Sequence, residues 1–299
     1  AKGAQWNRGA YLVEGLAHCS SCHSPRGLMM QEVGGKAFAG GSLGDWYAPN
    51  ITSHPISGIG GWTDEELAQY LKTGRVAGKG QAGGGMAEAV TNSLSKLRDE
   101  DISAIVTYLR TVPAVAEKDT TRAAFDWGDA ANTPGEQPVR GTDAPLASGA
   151  VLYSGLCASC HGSRGEGSQD GYYPSLIHNS TVGMARPQNL VATIIGGIDR
   201  EVDGEHVLMP HFSEGSFVQA LSDADVAAAA SYVRTSFGPG DQVTEAQVAL
   251  IRDGGEKPLL AKIARLWLPL LILGLAAFIG VILLLRRAWK KRTQRRASA

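Results

Sequence analysis

All four cysteines of this 299-residue chain fall in two short motifs, and each motif reads Cys-x-x-Cys-His. Two thiols at this spacing can form thioether bonds with the two vinyl groups of a haem, and the adjacent imidazole can then bind the iron. We therefore predict two covalently bound haem c groups, with the histidine of each motif as an iron ligand. The residues concerned are Cys19, Cys22, His23, Cys157, Cys160 and His161.

Other chemistry of paired cysteines fits the sequence less well. Four cysteines could form two disulfides in an oxidising compartment, and a Cys-x-x-Cys pair could be a redox dithiol or half of a zinc site. The two pairs lie 138 residues apart, whereas the pairs of a zinc ribbon lie about 15–20 residues apart. A thioredoxin-like site would need a βαβ context, which neither motif has. The histidine after each pair favours haem attachment.

The flanks of the two motifs repeat, which indicates a duplicated domain. The segment 9–12 (Gly-Ala-Tyr-Leu) before the first motif corresponds to 149–152 (Gly-Ala-Val-Leu) before the second. Downstream, 97–111 corresponds to 221–235. We expect each copy to begin with a short opening helix that carries the cysteines and to end with a closing helix.

Capping residues indicate where several of these helices begin and end. Ser222 can cap the second closing helix, and Pro113 predicts the end of the first. Thr63 and Glu66 have the spacing of a capping box, which predicts a further helix that stops at Gly74.

A haem iron held by one histidine needs a sixth ligand or keeps an open site, and this choice separates electron carriers from catalysts. Met86 lies in a glycine-rich loop before the first closing helix, and Met209 precedes Pro210 just before the second. We predict Met86 and Met209 as the distal ligands. Met184 is the competitor in the second copy.

Other candidate ligands are less suitable by position. Met29 and Met30 follow His23 too closely to cross easily to the opposite haem face, and His18 is expected to point away from its iron. Four loop histidines are rival ligands, although a single loop histidine is usually solvated: His54, His178, His206 and His211.

An uncharged segment near the C-terminus predicts a membrane span. Residues 266–285 contain twenty residues without a charge, which is about 30 Å of helix. Pro269 is expected in the first turn of this helix, and Trp267 and Trp289 have the positions of interfacial aromatic residues. A buried helix of a soluble protein is the alternative, but such a helix rarely lacks polar residues over this length.

Charge is distributed unevenly along the chain. The last 14 residues carry seven basic and no acidic side chains, which leaves 21 basic against 29 acidic residues, or −8, for the rest. The positive-inside rule predicts that the C-terminus is cytoplasmic and that residues 1–265 lie on the other side of the membrane. An acidic body also disfavours nucleic acid as a partner. Because the chain opens at Ala1 without an apolar leader, we expect that a leader has been removed.

Further stretches, within about residues 6–238, carry a resemblance to a known family. They are 8–12 (Arg-Gly-Ala-Tyr-Leu), 24–27 (Ser-Pro-Arg-Gly), 46–52 (Trp-Tyr-Ala-Pro-Asn-Ile-Thr), 60–63 (Gly-Gly-Trp-Thr), 70–74 (Tyr-Leu-Lys-Thr-Gly), 208–212 (Leu-Met-Pro-His-Phe) and 221–223 (Leu-Ser-Asp). Together with the motifs, they resemble the multihaem cytochrome c subunits of membrane-bound alcohol dehydrogenases and related periplasmic dehydrogenases of bacteria. Those subunits usually carry three haem domains, and this chain is similar to the second and third, with a C-terminal membrane anchor added.

The resemblance implies an all-α fold with two tandem class I cytochrome c domains and with histidine and methionine iron ligation. The uncharged segment adds one C-terminal transmembrane helix, which is a departure from the family. The span and the basic tail predict a single-pass protein of the bacterial cytoplasmic membrane, with periplasmic haem domains and a cytoplasmic C-terminus. The predicted segments are 1–115 (cytochrome c domain 1), 116–143 (linker), 144–240 (cytochrome c domain 2), 241–257 (connector), 258–290 (transmembrane helix) and 291–299 (basic tail).

We interpret the chain as a membrane-anchored dihaem cytochrome c that relays electrons in a periplasmic respiratory chain. The donor would be a dehydrogenase or a quinol-oxidising partner, and the acceptor would be quinone, a soluble cytochrome c or a terminal oxidase. The expected partners are the membrane and redox proteins of a hetero-oligomeric complex, in which this chain is an electron-transfer subunit rather than a catalyst on its own. The alternative is a dihaem enzyme, such as a peroxidase or sulfur-compound oxidoreductase, with one open haem site. A third possibility is a cytochrome subunit of a terminal oxidase or quinol-oxidising complex.

Overall fold

The computed structural model describes residues 2–118, 120–129 and 148–297. Most of the predicted linker 116–143 therefore lies outside the described residues, and its described part includes a 3₁₀ turn at Ala124–Asp126. The chain forms two units. The larger unit contains both cysteine motifs, and the units comprise Ala1–Gly27 with Gln31–Glu256, and Leu28–Met30 with Lys257–Ala299.

The first copy is built from short helices and two antiparallel hairpins. In chain order its elements are α1 (Ala4–Ala10), a π-helical turn (Tyr11–Leu16), α2 (Ser20–His23), β1 (Ala39–Leu43), β2 (Trp46–Asn50), α3 (Asp64–Thr73), β3 (Arg75–Val76), β4 (Gly80–Gln81), α4 (Gly84–Asn92), a 3₁₀ turn (Leu94–Lys96) and α5 (Asp99–Leu109). The predicted capping box of α3 is confirmed, because Thr63 Oγ1 accepts from the Glu66 N–H at 3.1 Å and Glu66 Oε2 accepts from the Thr63 N–H at 2.8 Å. The predicted stop at Gly74 is confirmed by its left-handed φ of 72°.

The opening helix α1 crosses the closing helix α5 at a glycine. A Cβ atom at Gly9 would overlap the carbonyl oxygen of Ala104, so only glycine allows the two backbones to approach this closely. The neighbouring Arg8 forms an ion pair with Asp101 of α5 at 2.7 Å. The apolar core of this copy lies beneath the crossing and includes Ile102 and Ile105.

The second copy repeats this arrangement. Its elements are α6 (Gly149–Leu152), a π-helical turn (Tyr153–Cys157), α7 (Ala158–His161), α8 (Ser180–Gly183), α9 (Gln188–Gly196), β5 (Ile198–Val202), β6 (Glu205–Met209), α10 (Asp223–Phe237) and α11 (Glu245–Arg252). A Cβ atom at Gly149 would overlap the carbonyl oxygen of Ala228, so the opening and closing helices cross at an equivalent glycine. The cap at Ser222 is confirmed, since its hydroxyl accepts from the Asp225 N–H at 3.2 Å.

The sequence did not predict a helix between residues 241 and 257, where the structure has α11. Val248 and Ile251 of this helix are buried in the core of the second copy. Arg252 pairs with Asp223 at the start of α10 at 2.6 Å. This part of the predicted connector therefore packs as part of the second copy.

The fold is mainly helical, but the all-α prediction needs correction because the described residues contain three two-stranded antiparallel sheets. The third sheet, β5–β6, joins the two copies. Val202 of β5 is buried in the core of the first copy, and Glu205 forms an ion pair with Arg75 at 2.7 Å. The sheets were missed because their strands are only two to five residues long, and runs this short show little of the alternation that identifies a strand.

The smaller unit contains α12 (Leu259–Ala297). Among the described residues, one helix is long and apolar enough to cross a membrane by length and composition, and it is the Leu259–Lys290 part of α12. No residue in its most apolar stretch is buried within the chain, in contrast to the core helix of a soluble protein. Because α12 begins at Leu259, Pro269 lies inside the helix rather than in its first turn as predicted.

Candidate haem sites

One cavity of about 1010 Å³ in the larger unit is lined by both cysteine motifs. Ligand pockets commonly measure about 300–1,000 Å³, so this cavity is at the upper end of that range. Its lining is mainly apolar and comes from both copies. The structure therefore brings every predicted cofactor residue to one continuous space: Cys19, Cys22, His23, Met86, Cys157, Cys160, His161 and Met209.

The two motif histidines have equivalent hydrogen bonds. His23 Nδ1 donates to the carbonyl oxygen of Pro49 at 2.7 Å, and His161 Nδ1 donates to that of Pro174 at 2.9 Å. A carbonyl oxygen can only accept, so each Nδ1 carries the proton and each Nε2 keeps its lone pair for a metal. Burial lowers the pKa of both imidazoles, which favours the neutral form that a metal needs.

The cysteines lack the features of a redox dithiol. None of the four is in a disulfide in this structure. Burial raises the pKa of the Cys19 thiol to about 11 and that of Cys157 to about 12. Reactive redox cysteines instead have lowered pKa values, because nearby positive charge or a helix N-terminus stabilises the thiolate.

Met86 lies in the first turn of α4 and not in a loop as predicted. Its N–H donates to the carbonyl oxygen of Gly83 at 3.2 Å, and its half-buried side chain packs against the core of the first copy. Gly84 begins this helix with a φ of 51°, and a Cβ there would collide with the ring of Trp46. The glycine run therefore forms a tight helix start that presents Met86 to the cavity.

Met209 is the last residue of β6 and packs against the core of the second copy. A smaller cavity of about 40 Å³ is lined by Met209 together with His161 and Cys157, but not by Met184. Met184 also lines the large cavity, where its sulfur is 3.7 Å from Nδ2 of Asn189. Because Met209 shares this smaller cavity with His161 and Met184 does not, Met209 is favoured over Met184 as the candidate ligand.

Most of the remaining rival ligands do not line the two cavities. Met29 and Met30 are exposed and line neither of these cavities. His18 lines the large cavity, with Nδ1 2.9 Å from the hydroxyl of Ser21. The four loop histidines line neither cavity, and each has a hydrogen-bond partner: His54 with Ser57, His178 with Phe125, His206 with Asp199 and His211 with Ser213.

Trp46 is a cavity residue to which the sequence analysis assigned no role. It belongs to β2 of the first copy, yet it packs against the core of the second copy. Gln188 of α9 donates to its carbonyl oxygen at 3.0 Å. Trp46 lies in one of the stretches that carry the family resemblance, and this was the signal in the sequence. Its position between the copies depends on contacts between residues about 140 positions apart in the chain.

These features fit a covalently attached haem in each copy. Each copy supplies two thiols and an imidazole on the wall of a mainly apolar cavity, and the hydrogen bond to Nδ1 fixes the imidazole tautomer. Each copy also supplies a thioether on the same cavity. Sulfur and imidazole ligands of this kind suit haem iron.

The cytochrome c family matches this chain twice, over residues 7–113 and 146–237. The two matches coincide with the two copies. The chain therefore belongs to the cytochrome c family.

Curated proteins give the same result. The chain is 45% identical over 293 residues to the fructose dehydrogenase cytochrome subunit of Gluconobacter japonicus, covering 95% of this chain and 59% of that protein. It is 32% identical over 268 residues to the alcohol dehydrogenase (quinone) cytochrome c subunit of Gluconacetobacter polyoxogenes, covering 83% and 53%. It is 33% identical over 258 residues to the gluconate 2-dehydrogenase cytochrome c subunit of Pantoea cypripedii, covering 82% and 55%. The resemblance to multihaem cytochrome c subunits of dehydrogenases is confirmed, and the chain spans somewhat more than half the length of these relatives.

Proposed function

We propose that this chain is a membrane-anchored dihaem electron carrier that serves as the cytochrome subunit of a dehydrogenase complex. A haem bound in each copy would supply one-electron oxidation and reduction at its iron. The observation that carries the proposal is the single cavity lined by both sets of cofactor residues. Because both sets of residues line one continuous cavity, the chain is suited to holding two redox centres close together.

Each residue type has a distinct role in this proposal. The four cysteines bind the two haems covalently, and His23 and His161 bind the irons through Nε2, with their rings held by Pro49 and Pro174. Met86 and Met209 serve as the sixth ligands. A thioether ligand stabilises ferrous iron and raises the reduction potential, as in electron-transfer cytochromes.

The relatives support the proposed redox partners, and α12 supports the proposed membrane location. The relatives are named as cytochrome subunits of fructose, alcohol and gluconate dehydrogenases, and the alcohol dehydrogenase is named as a quinone enzyme. We infer that this chain receives electrons from a dehydrogenase of this kind and passes them to quinone or another respiratory acceptor. Leu259–Lys290 would anchor it in the bacterial cytoplasmic membrane, with the haem copies in the periplasm and the basic end in the cytoplasm.

The first test counts the cofactors. The mass of the full-length protein should exceed that of its polypeptide by two haems, and the denatured protein should keep haem-dependent peroxidase staining on a gel. Replacement of Cys157 and Cys160 by Ser should remove one haem, as should the matched Cys19 and Cys22 replacement. A mass showing one haem or none in the unaltered protein contradicts the proposal.

The optical spectrum separates this proposal from the dihaem enzyme. Two six-coordinate haems should give a low-spin spectrum that carbon monoxide does not change. A high-spin or carbon monoxide-binding fraction would indicate an open site and support the enzyme instead. Identification of the proteins that co-purify after gentle detergent extraction would then name the donor and the acceptor.

A further inference from the structure

The hairpin β5–β6 of the second copy contacts the methionine-bearing elements of both copies. Met209 ends β6 and pairs across the sheet with Ile198, which begins β5. Ile198 also reaches the first copy, because a Cβ atom at Gly83 would lie 2.9 Å from its Cδ1. Gly83 is three residues before Met86 along the chain.

Arg200 extends this contact along the same face of β5. Arg200 is only 3% exposed, although its side chain is charged. Nη1 donates to the carbonyl oxygen of Gly74 at 2.7 Å and lies 3.5 Å from that of Ala82. No carboxylate forms an ion pair with Arg200 within the part of the chain that the structure describes. The Gly74 carbonyl group at the end of α3, with that of Ala82 after β4, therefore compensates the buried charge, in keeping with the negative end of the α3 dipole.

These carbonyl groups lie at the two ends of the β3–β4 hairpin. The Gly74 carbonyl oxygen also accepts from the Ala82 N–H at 2.8 Å, so Arg200 adds a second bond to the contact that closes this hairpin. From Ala82 the chain runs through the glycines into α4, which carries Met86. Arg200 is thus fixed to the backbone that enters the Met86 helix.

We propose that Arg200 of the second copy is a positioning residue for Met86 of the first copy. The proposal rests on the proposed function in one respect, namely that Met86 binds iron. One hairpin then supports both distal ligands, since it carries Met209 at its end and holds the start of the Met86 helix through Ile198 and Arg200. The ligation state of the first haem therefore depends on a side chain from the other copy.

The test uses the full-length dihaem protein in detergent and the variant Arg200→Gln, which keeps most of the side-chain volume but removes the charge. The ligand-methyl resonance of each methionine is followed by proton NMR of the reduced protein, and Met86→Ala and Met209→Ala assign the two resonances. We expect Arg200→Gln to reduce or abolish the Met86 resonance and to lower the potential of the first haem, while the Met209 resonance is kept. Arg200→Lys keeps the charge and should give an intermediate effect on the first haem alone.

Glu201→Gln is the matched control, because Glu201 is the next residue of β5 and is exposed on the opposite face. It should leave both resonances and both potentials unchanged. The proposal is wrong if Arg200→Gln changes neither haem, or if it changes both equally, as general destabilisation would. Should the Gln variant not accumulate, Arg200→Lys decides: a change limited to the first haem supports the proposal, and no change overturns it. If Met86→Ala itself leaves the first haem unaltered, the ligand assignment fails instead.

Discussion

The side-chain amide of Asn189 pairs with the main chain of Tyr47 in both directions. Its Oδ1 accepts from the Tyr47 N–H at 2.8 Å, and its Nδ2 donates to the Tyr47 carbonyl oxygen at 2.8 Å. Asn189 lies at the start of α9 in the second copy, and Tyr47 lies in β2 two residues before Pro49, which accepts from His23. Asn189 of the second copy thus pairs with the main chain of β2 as a neighbouring strand would. This is the segment that orients His23 of the first copy.

Replacing Asn189 with Ala should weaken the docking of the two copies. Loss of two hydrogen bonds should lower the free energy of unfolding by about 1–3 kcal/mol, measured by denaturant titration of the haem-containing protein. Asn7→Ala is the control, because the exposed Asn7 amide donates to the Lys2 carbonyl oxygen at 3.2 Å within the first copy. Equal denaturation midpoints for the two variants would show that the Asn189 pairing contributes nothing.

The two glycine crossings should not tolerate a side chain. Gly9→Ala and Gly149→Ala each place a methyl group on a carbonyl oxygen of the closing helix, so each should destabilise its copy by about 1–3 kcal/mol or more. Thermal unfolding monitored by circular dichroism measures the effect. The chain offers matched controls in Gly15→Ala, whose nearest neighbour would be 3.9 Å away, and Gly155→Ala, which has nothing within 4 Å. Similar losses of stability at all four positions would mean that the close crossing of the two helices is not the cause of the destabilisation.

Single substitutions can show which methionine binds the iron in each copy. Met86→Ala and Met209→Ala should each convert one haem to a high-spin or water-ligated form and lower its potential, because water stabilises ferrous iron less well than a thioether does. Met184→Ala should leave both haems low-spin. The measurements are optical spectra and a potentiometric titration of each variant. If Met184→Ala changes a haem and Met209→Ala does not, the ligand of the second copy is Met184.

Acid should weaken the contact between α1 and α5. The hydrogen bond from Arg8, with a further contribution from Arg98, holds the pKa of Asp101 below its usual range. A carboxylate with a lowered pKa in the folded state stabilises the protein above its unfolded pKa of about 3.9, and this stabilisation is lost as the pH falls through the lower folded value. Asp101→Asn should therefore be less stable than the unaltered protein at pH 7, and the difference should shrink toward pH 3. Denaturant midpoints across this range test the prediction, and a difference that stays constant with pH would contradict it.

Ending the chain after Glu256 should release a soluble protein with both haems. Neither a cavity-lining residue nor a residue of the two cores lies beyond this position among the described residues. Haem spectra of the truncated protein should match those of the full chain, whereas electron transfer in membranes should fall, because the anchor no longer holds the haems at high effective concentration near their partners. Loss of haem after truncation would make α12 part of the fold, and unchanged transfer would remove its proposed positioning role.

Sequence signals predicted the features that depend on a few neighbouring residues. The caps at Thr63 and Ser222 and the stop at Gly74 are confirmed, because a cap needs only side chains within one helical turn. The glycines before Met86 were interpreted as a loop, although they serve as the start of a helix packed on Trp46. That packing could not be predicted, since local sequence does not show which ring covers a glycine.

The docking of the two copies had no signal in the sequence. Arg200 and Gly74 are 126 residues apart, and the burial of a charged strand residue contradicts the usual preference for exposed arginine. Composition and spacing likewise predicted two cofactor sites but not that one cavity joins them. Features of this kind depend on how two folded copies fit together, which no periodic pattern in either copy encodes.

The joined cavity also has a consequence for how the two copies can vary. Residues of both copies line it, and Trp46 of the first copy and Cys157 of the second pack against the same core. A different side chain on this wall therefore alters the surroundings of both sets of predicted cofactor residues at once, so neither copy can be adjusted independently of the other.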